Sequence, residues 1–243
     1  MVCLHIVHLE SSTPFLCMWR IYAQLLTLSS GANSPSSATV WFSALYPEMV
    51  DAVVLLDSYG FLPTDPKEMP QVIRQGIDEM LQFEKKSKDK KERVYTFEKA
   101  VERLLAANPT LSEDSVKILL ERGLVQVEGG VVFSRDFRIN LKNIVRISLE
   151  QSLEMQSRIQ ASVLVVLAEE GFEKIFAEPD QKKFTSALLQ VYRDKNHTVV
   201  TVPGDHHIHL NNPEVVAPLV SDFLQTRVLS QSARQTEEQI SKL

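Results

Sequence analysis

Cysteine and glycine are scarce in this sequence of 243 residues, and an excess of positive charge is missing. Its two cysteines, Cys3 and Cys17, are too few for the disulfide framework of a small secreted domain. Its eight glycines follow no short repeat of the collagen type. Lysine and arginine number 26 against 31 aspartates and glutamates, so no excess of cations is available to neutralise nucleic-acid phosphates. A disulfide scaffold, a repeat architecture and a general nucleic-acid binder are therefore excluded.

Long hydrophobic runs are missing as well. Glu10, Pro14 and Arg20 interrupt the apolar N-terminal segment, and no basic region precedes it. No run reaches the roughly 20 residues of a membrane span. We therefore expect neither a signal peptide nor a membrane-spanning segment. With 44% hydrophobic and 23% charged residues, the composition is that of a globular protein with a sizeable core.

Continuous apolar runs indicate the fold class. Ala52–Asp57 and Ser162–Ala168 are rich in Val and Leu without alternation, which is typical of parallel strands that are covered on both faces. His197–Val202 predicts a third strand, which should stop at Pro203-Gly204. A helical pattern borders each of these segments, so the sequence predicts an α/β fold.

The predicted helices include a terminal one and an inserted group. Asn212 followed by Pro213 predicts the N-cap and first turn of the last helix, in which Pro218 should produce a kink. The insertion from about 60 to 157 is rich in helix formers, and its charge run from 85 to 93 is expected to be solvated. An insertion of this kind between two sheet strands is where an α/β enzyme carries a lid.

Two local patterns lie inside that insertion. Thr110–Glu113 has the form of a capping box that opens a helix. Leu124–Phe133, with Gly129-Gly130 at its centre, predicts a short hairpin or extended turn.

The sharpest candidate site is the histidine-rich stretch after the third strand. Histidine suits general base catalysis at physiological pH, and ligand chemistry collects beyond the carboxyl ends of strands in open α/β sheets. Surface histidines without a task are the competing interpretation. A metal site is a weaker one, because adjacent residues on a tight loop rarely converge on one ion, and we expect no cofactor. The candidate ligands are Asp205, His206, His207 and His209.

Three acidic residues at strand ends could partner such a histidine. Asp57 closes the first strand, and Glu169 and Glu170 follow the second. A carboxylate bonded to the histidine would hold its tautomer and stabilise the imidazolium that forms in acyl transfer. An acidic residue at a strand end can equally cap a helix or accept from a backbone N–H. The acid precedes the histidine in the chain, as in the Ser, acid, His order of α/β-hydrolases.

Two stretches of the chain resemble the serine hydrolase-like proteins of vertebrates, members of the α/β-hydrolase superfamily. They are Tyr46–Asp51 running into Val53–Asp57, and Val202–His206. The resemblance covers about 42 to 224. It implies the α/β-hydrolase fold: a mostly parallel sheet, helices on both faces and a helical lid. It also implies a serine hydrolase acting on an ester or related acyl substrate, with His206 as the base and Asp57, Glu169 and Glu170 as competing candidates for the acid.

The nucleophile of that family does not carry over to this chain. The family needs G-x-S-x-G on a sharp turn, because glycines let the backbone bend and expose the serine. The matching stretch is Gly31–Ser37, in which the nucleophile position falls on Asn33, or on Ser34 after a one-residue slip that leaves Pro35 next to it. Neither alignment gives a working elbow. We therefore expect impaired catalysis; the alternative is a non-catalytic relative or truncated isoform that acts through binding.

The N-terminal part also departs from the family. Residues 1–41 are divergent and contain too little chain for the strands and the oxyanion loop that should precede the elbow. The strand Ala52–Asp57 is then expected to leave an open sheet edge. We predict a partial hydrolase domain over 42–226 with incomplete N-terminal strands, a lid at about 60–157, and a flexible tail over 227–243.

The last three residues are Ser241, Lys242 and Leu243, the tripeptide that serves as a peroxisomal address at a free C-terminus. The residues before them are rich in Ser, Gln and Glu without an apolar period, as a solvated tail should be. We expect recognition by the peroxisomal import receptor, and a peroxisomal location with a cytoplasmic pool.

Overall fold

The computed structural model describes residues 2–7, 35–87, 93–134, 140–175 and 179–229. The strands are β1 (Val2–Val7), β2 (Val50–Leu56), β3 (Leu124–Val127), β4 (Gly130–Phe133), β5 (Ser162–Glu170) and β6 (Thr198–Asp205). The helices are α1 (Pro35–Leu45), α2 (Met69–Ser87), α3 (Phe97–Ala107), α4 (Glu113–Gly123), α5 (Leu149–Ser157), α6 (Phe172–Ile175), α7 (Pro179–Asp194), α8 (Ile208–Asn211) and α9 (Pro213–Phe223). A 3₁₀ turn covers Pro47–Met49, and a π-helical segment, Leu224–Leu229, follows α9.

The main sheet has the strand order β1-β2-β5-β6. β2 runs parallel to β5, with Ala52 opposite Ser162, and β5 runs parallel to β6, with Leu164 opposite Thr198. The three predicted strands therefore lie side by side, which confirms the α/β fold. β6 continues to Asp205 instead of stopping at Pro203, and Gly204 within it adopts a φ of 137°, which favours glycine.

The edge of β2 that was expected to be open is paired. β1 runs antiparallel along it, from Val2 opposite Leu56 to Val7 opposite Val50. The expectation of an unprotected edge is therefore wrong for this structure, since a short N-terminal strand supplies the missing backbone partners. Antiparallel pairing makes the sheet mixed, with parallel strands from β2 onward.

Both faces of the sheet are covered, which explains why its strands are apolar without alternation. Along β2, successive side chains enter opposite cores. One face packs against α1, α5 and α7, and the other packs against α8 and α9. The first face carries Val53, Leu55, Val163, Val165 and Leu167. The second carries Ala52, Val54, Leu56, Leu164 and Val166.

The insertion between β2 and β5 has a small core of its own. Ala100 of α3, Val116 and Leu120 of α4, and Val131 of β4 pack together away from the sheet cores. β3 and β4 form the predicted hairpin, closed by a turn that places Val127 opposite Gly130. These elements pack on one another and therefore form a unit. From here on, the name lid refers to α3, α4 and the hairpin, which are a part of the insertion predicted at about 60–157.

The starts of two helices differ from prediction. α4 begins at Glu113 with Ser112 as its N-cap, so the capping box predicted over Thr110–Glu113 is wrong. Asn212 occupies the N-cap position of α9, but its side chain donates to Glu214 and caps no backbone N–H. Pro218 lies inside α9, which continues to Phe223 without a break. Within the described ranges, no helix combines the length and apolarity that a membrane crossing requires.

Candidate active site

Three segments meet at the carboxyl edge of the parallel strands. Asp57 follows β2, Gly171 follows β5, and His206 follows β6. Because parallel strands end at the same edge, their first loop residues lie close together in space although 149 positions separate Asp57 from His206 in sequence. The fold therefore gathers the candidate catalytic residues at one place.

Asp57 and His206 form a direct hydrogen bond. The Nδ1 atom of His206 lies 2.5 Å from Oδ2 of Asp57. The Asp57 side chain is 1% exposed and that of His206 is 23% exposed. An ionised carboxylate can only accept, so Nδ1 carries the proton and Nε2 of the neutral ring is left as a base. This is the geometry of the acid and base of an acyl-transfer triad.

The backbone around Asp57 fixes its carboxylate. Asp57 has a φ of +47°, a conformation that Asp tolerates better than most residues, and its N–H donates to the carbonyl of Val166 at 2.7 Å. The N–H of Ala168 donates to Oδ1 at 3.1 Å, and the N–H of Phe172 donates to Oδ2 at 2.8 Å. These donors, together with His206, offset the cost of burying a charged group.

Gly171 leaves the space that the carboxylate fills. A Cβ atom at this position would lie 2.5 Å from Oδ2 of Asp57 and closer still to Oδ1, well inside van der Waals contact. The Gly171 N–H donates to the carbonyl of Ala168 at 3.0 Å, which tightens the turn after β5 and directs the next N–H toward Asp57. Only glycine fits here without displacing the acid.

The other predicted acids are placed differently. Glu169 and Glu170 are exposed, and the carboxylate of Glu170 pairs with Lys174 on α6. Of the three candidates, the structure brings Asp57 to His206. Ser34, which directly precedes α1 in sequence, lies outside the described residues. The predicted targeting residues Ser241, Lys242 and Leu243 also lie outside them.

The neighbouring histidines have other contacts. Nδ1 of His207 lies 2.8 Å from Oγ1 of Thr110, and burial, with the nearby His206, lowers the pKa of His207. Burial is also the main cause that lowers the pKa of His209 to about 4. Among the residues that the structure describes, no three His, Cys, Asp or Glu side chains are grouped to hold a metal ion.

Sequence reasoning missed the groups that hold the site. Phe172 contributes a backbone N–H, and its ring centroid lies 5.6 Å from that of His206. Thr110 reaches His207 from the lid across 97 positions of sequence. A glycine directly after a strand end was the one available signal, since Gly171 follows Glu170 in the printed chain.

A Gly171→Ala substitution should displace Asp57. The added methyl group overlaps both carboxylate oxygens, so we expect a loss of about 1–3 kcal/mol in the free energy of unfolding, measured by urea denaturation. Gly123→Ala is the matched control, because its Cβ would meet nothing nearer than Leu120 at 3.9 Å, and it should change stability by less than about 0.5 kcal/mol. Equal stability of the two variants would contradict the tight fit at Gly171.

The low pKa of His209 predicts acid sensitivity. The unfolded chain binds a proton at this residue near its ordinary pKa of 6.5, whereas the folded chain binds it only near 4. The free energy of unfolding should therefore fall as the pH is lowered from 6.5 to about 4. His209→Gln, which cannot titrate, should lose less stability across this window in urea titrations. A pH profile parallel to that of the wild type would show that His209 does not contribute.

Comparisons with known proteins place the chain in a family. No protein-family model matches it. A serine hydrolase-like protein of Danio rerio is 50% identical over 202 residues, which cover 83% of this chain and 61% of the relative. A serine hydrolase-like protein of Mus musculus is 34% identical over 202 residues, covering 79% of this chain and 64% of the relative. The chain thus spans about six-tenths of the length of the curated relatives it matches.

Solved structures agree at the level of the fold. A hypothetical protein of Pseudomonas aeruginosa superposes with a TM-score of 0.62 at 21% identity, covering 88% of this chain and 77% of that chain. E-2-(acetamidomethylene)succinate hydrolase superposes with a TM-score of 0.54 at 19% identity, covering 85% of this chain and 72% of that one. With relatives at 50% and 34% identity and the α/β-hydrolase fold of these solved structures, the chain belongs to the serine hydrolase-like proteins.

Proposed function

We propose that Asp57 and His206 are the acid and the base of a Ser-acid-His mechanism that hydrolyses an ester or related acyl substrate. The observation that carries this proposal is the 2.5 Å contact between a buried carboxylate and a partly exposed imidazole at the carboxyl edge of the parallel sheet. The family of the chain supports the same reaction class, because its relatives are serine hydrolase-like proteins.

In this mechanism Nε2 of His206 removes the proton from a serine hydroxyl as its oxygen attacks the acyl carbon. The imidazolium then gives that proton to the leaving alcohol, and an acyl-enzyme remains. Water repeats the sequence: His206 takes its proton, hydroxide attacks the acyl carbon, and the serine oxygen leaves with the proton. Asp57 keeps the ring in one orientation and stabilises the imidazolium at both stages.

We further propose that this chain is impaired at the nucleophile. α1 begins at Pro35, so Ser34 directly precedes a helix in sequence. A hydrolase nucleophile is expected at such a position. The N–H of the residue after the nucleophile normally donates to the oxyanion, and Pro35 has no N–H. The chain therefore combines a candidate acid and base with a Ser34 segment whose sequence lacks the glycines of the family motif and one oxyanion donor.

A fluorophosphonate probe with intact-mass detection tests both statements. We expect the wild type to remain unlabelled. A variant with Ala32→Gly, Pro35→Ala and Ser36→Gly restores G-x-S-x-G around Ser34, and its labelling rate should be at least about tenfold above the detection limit set by the unlabelled wild type. His206→Ala in that repaired background should abolish the gain, because no base then activates the serine.

Each outcome of this experiment decides something. Labelling of the native wild type that depends on His206 would contradict the proposed impairment. A repaired variant that unfolds cooperatively in urea and still fails to label would contradict the hydrolase mechanism. That second result would favour the other candidate function, a non-catalytic protein acting through binding, for which the missing elbow is the supporting observation.

We also propose delivery to peroxisomes with a cytoplasmic pool, through recognition of Ser241, Lys242 and Leu243 by the import receptor. Removing these three residues from an N-terminally tagged full chain should move the protein from peroxisomes to the cytoplasm in fluorescence microscopy. Replacing Ser232 by Ala, upstream in the same tail, is the control and should leave the distribution unchanged. Peroxisomal signal that persists after the deletion would contradict the address.

A further inference from the structure

The amide of Asn211 joins the histidine turn to the lid. Asn211 ends α8, and its Nδ2 donates to the carbonyl of Thr110 at 2.7 Å. Its Oδ1 accepts from the N–H of Ser112 at 3.0 Å and from Oγ of Ser115 at 3.0 Å. One side chain therefore contacts three groups of a segment that lies about a hundred residues earlier in the chain.

A second contact ties the same two segments together. Nδ1 of His207 lies 2.8 Å from Oγ1 of Thr110, and the N–H of His207 donates to the carboxylate of Asp205 at 2.7 Å. Nδ2 of Asn211 approaches the other oxygen of that carboxylate at 3.5 Å. The residues on both sides of His206, Asp205 and His207, thus belong to one hydrogen-bond network that includes the lid.

The lid side of this contact is a capped and partly buried helix start. Ser112 caps α4, and its hydroxyl accepts from the N–H of Ser115 at 3.1 Å and donates to the Ser115 hydroxyl at 2.8 Å. Ser115 is 1% exposed. An asparagine amide that bonds to a buried, capped helix start has little freedom to move, so the lid fixes the position of α8.

We propose that Asn211 is a positioning residue, which couples the start of lid helix α4 to the turn that presents His206 to Asp57. This inference rests on the proposed role of His206 as the base. Loss of the amide removes three of the hydrogen bonds that join α8 to the lid, lets the turn move, and loosens the bond between His206 and Asp57. The placement of the base thus depends on the docked position of the lid.

Hydrogen exchange followed by NMR on the full chain tests the coupling from both sides. In Asn211→Ala, the N–H of Ser112 loses its acceptor and should exchange about five- to tenfold faster. The Nδ1 proton of His206, which is held by Asp57 in the wild type, should also exchange faster with water. Ser115→Ala removes one lid donor and should accelerate the same His206 proton, although the substitution lies far from the histidine turn in sequence.

Two further variants separate positioning from a general loss of stability. Asn212→Ala alters the adjacent asparagine, whose side chain donates to Glu214 at 3.3 Å, and should leave both exchange rates unchanged. Asn211→Asp keeps an acceptor for Ser112 but cannot donate to Thr110, so it should restore protection of the Ser112 N–H only. Unfolding midpoints in urea are measured for all variants to identify global effects.

The proposal is overturned if Asn211→Ala speeds exchange at Ser112 and leaves the His206 proton at its wild-type rate, since the amide would then serve the lid alone. It is equally overturned if neither rate changes in a variant that folds. These readouts need no nucleophile. Failure of the fluorophosphonate experiment therefore contradicts the proposed reaction, whereas failure here contradicts the coupling.

Discussion

A buried carboxylate is the constraint on which the rest of this structure depends. Asp57 is almost completely shielded from water, so its charge must be balanced by donors that the fold delivers from separate segments. The acid follows β2, and His206 follows β6. The N–H of Ala168 comes from the end of β5, and the N–H of Phe172 comes from the start of α6. A shift of any one strand would leave a buried acceptor unpaired, so stability and site geometry are linked.

The proposed coupling between the lid and His206 follows from the same arrangement. Asp57, at the end of β2, bonds to His206 from the sheet side. On the lid side, Thr110 contacts Asn211 and His207, which flank the turn that carries His206. The helices and the hairpin of the lid pack around a core of their own. In the proposed mechanism, a base held from two sides is well oriented before substrate binds, as acid–base catalysis requires. In the proposed mechanism the impaired part is the nucleophile segment, where Pro35 stands in place of a residue with an N–H.

The sequence predicted what depends on local pattern. The strands were recognisable because burial on both faces demands continuous apolar residues, and His206 stood out because it follows a strand end. The choice among Asp57, Glu169 and Glu170 could not be made, since it depends on which side chain points inward after its strand. The capping box predicted to begin at Thr110 was wrong. The Thr110 hydroxyl contacts His207, a partner that only the tertiary structure brings near, and Ser112 caps the helix. Pairing of β1 with β2 likewise has no local signal.

The protonation pattern of the His206 ring tests the central claim most directly. In the ¹⁵N NMR spectrum of the neutral ring, the account predicts a proton on Nδ1 and a bare Nε2, because the Asp57 carboxylate accepts from Nδ1. Asp57→Asn should remove this preference, since an amide can present a donor to the ring. A neutral His206 with its proton on Nε2 in the wild type would contradict the pairing and, with it, the assignment of His206 as the base.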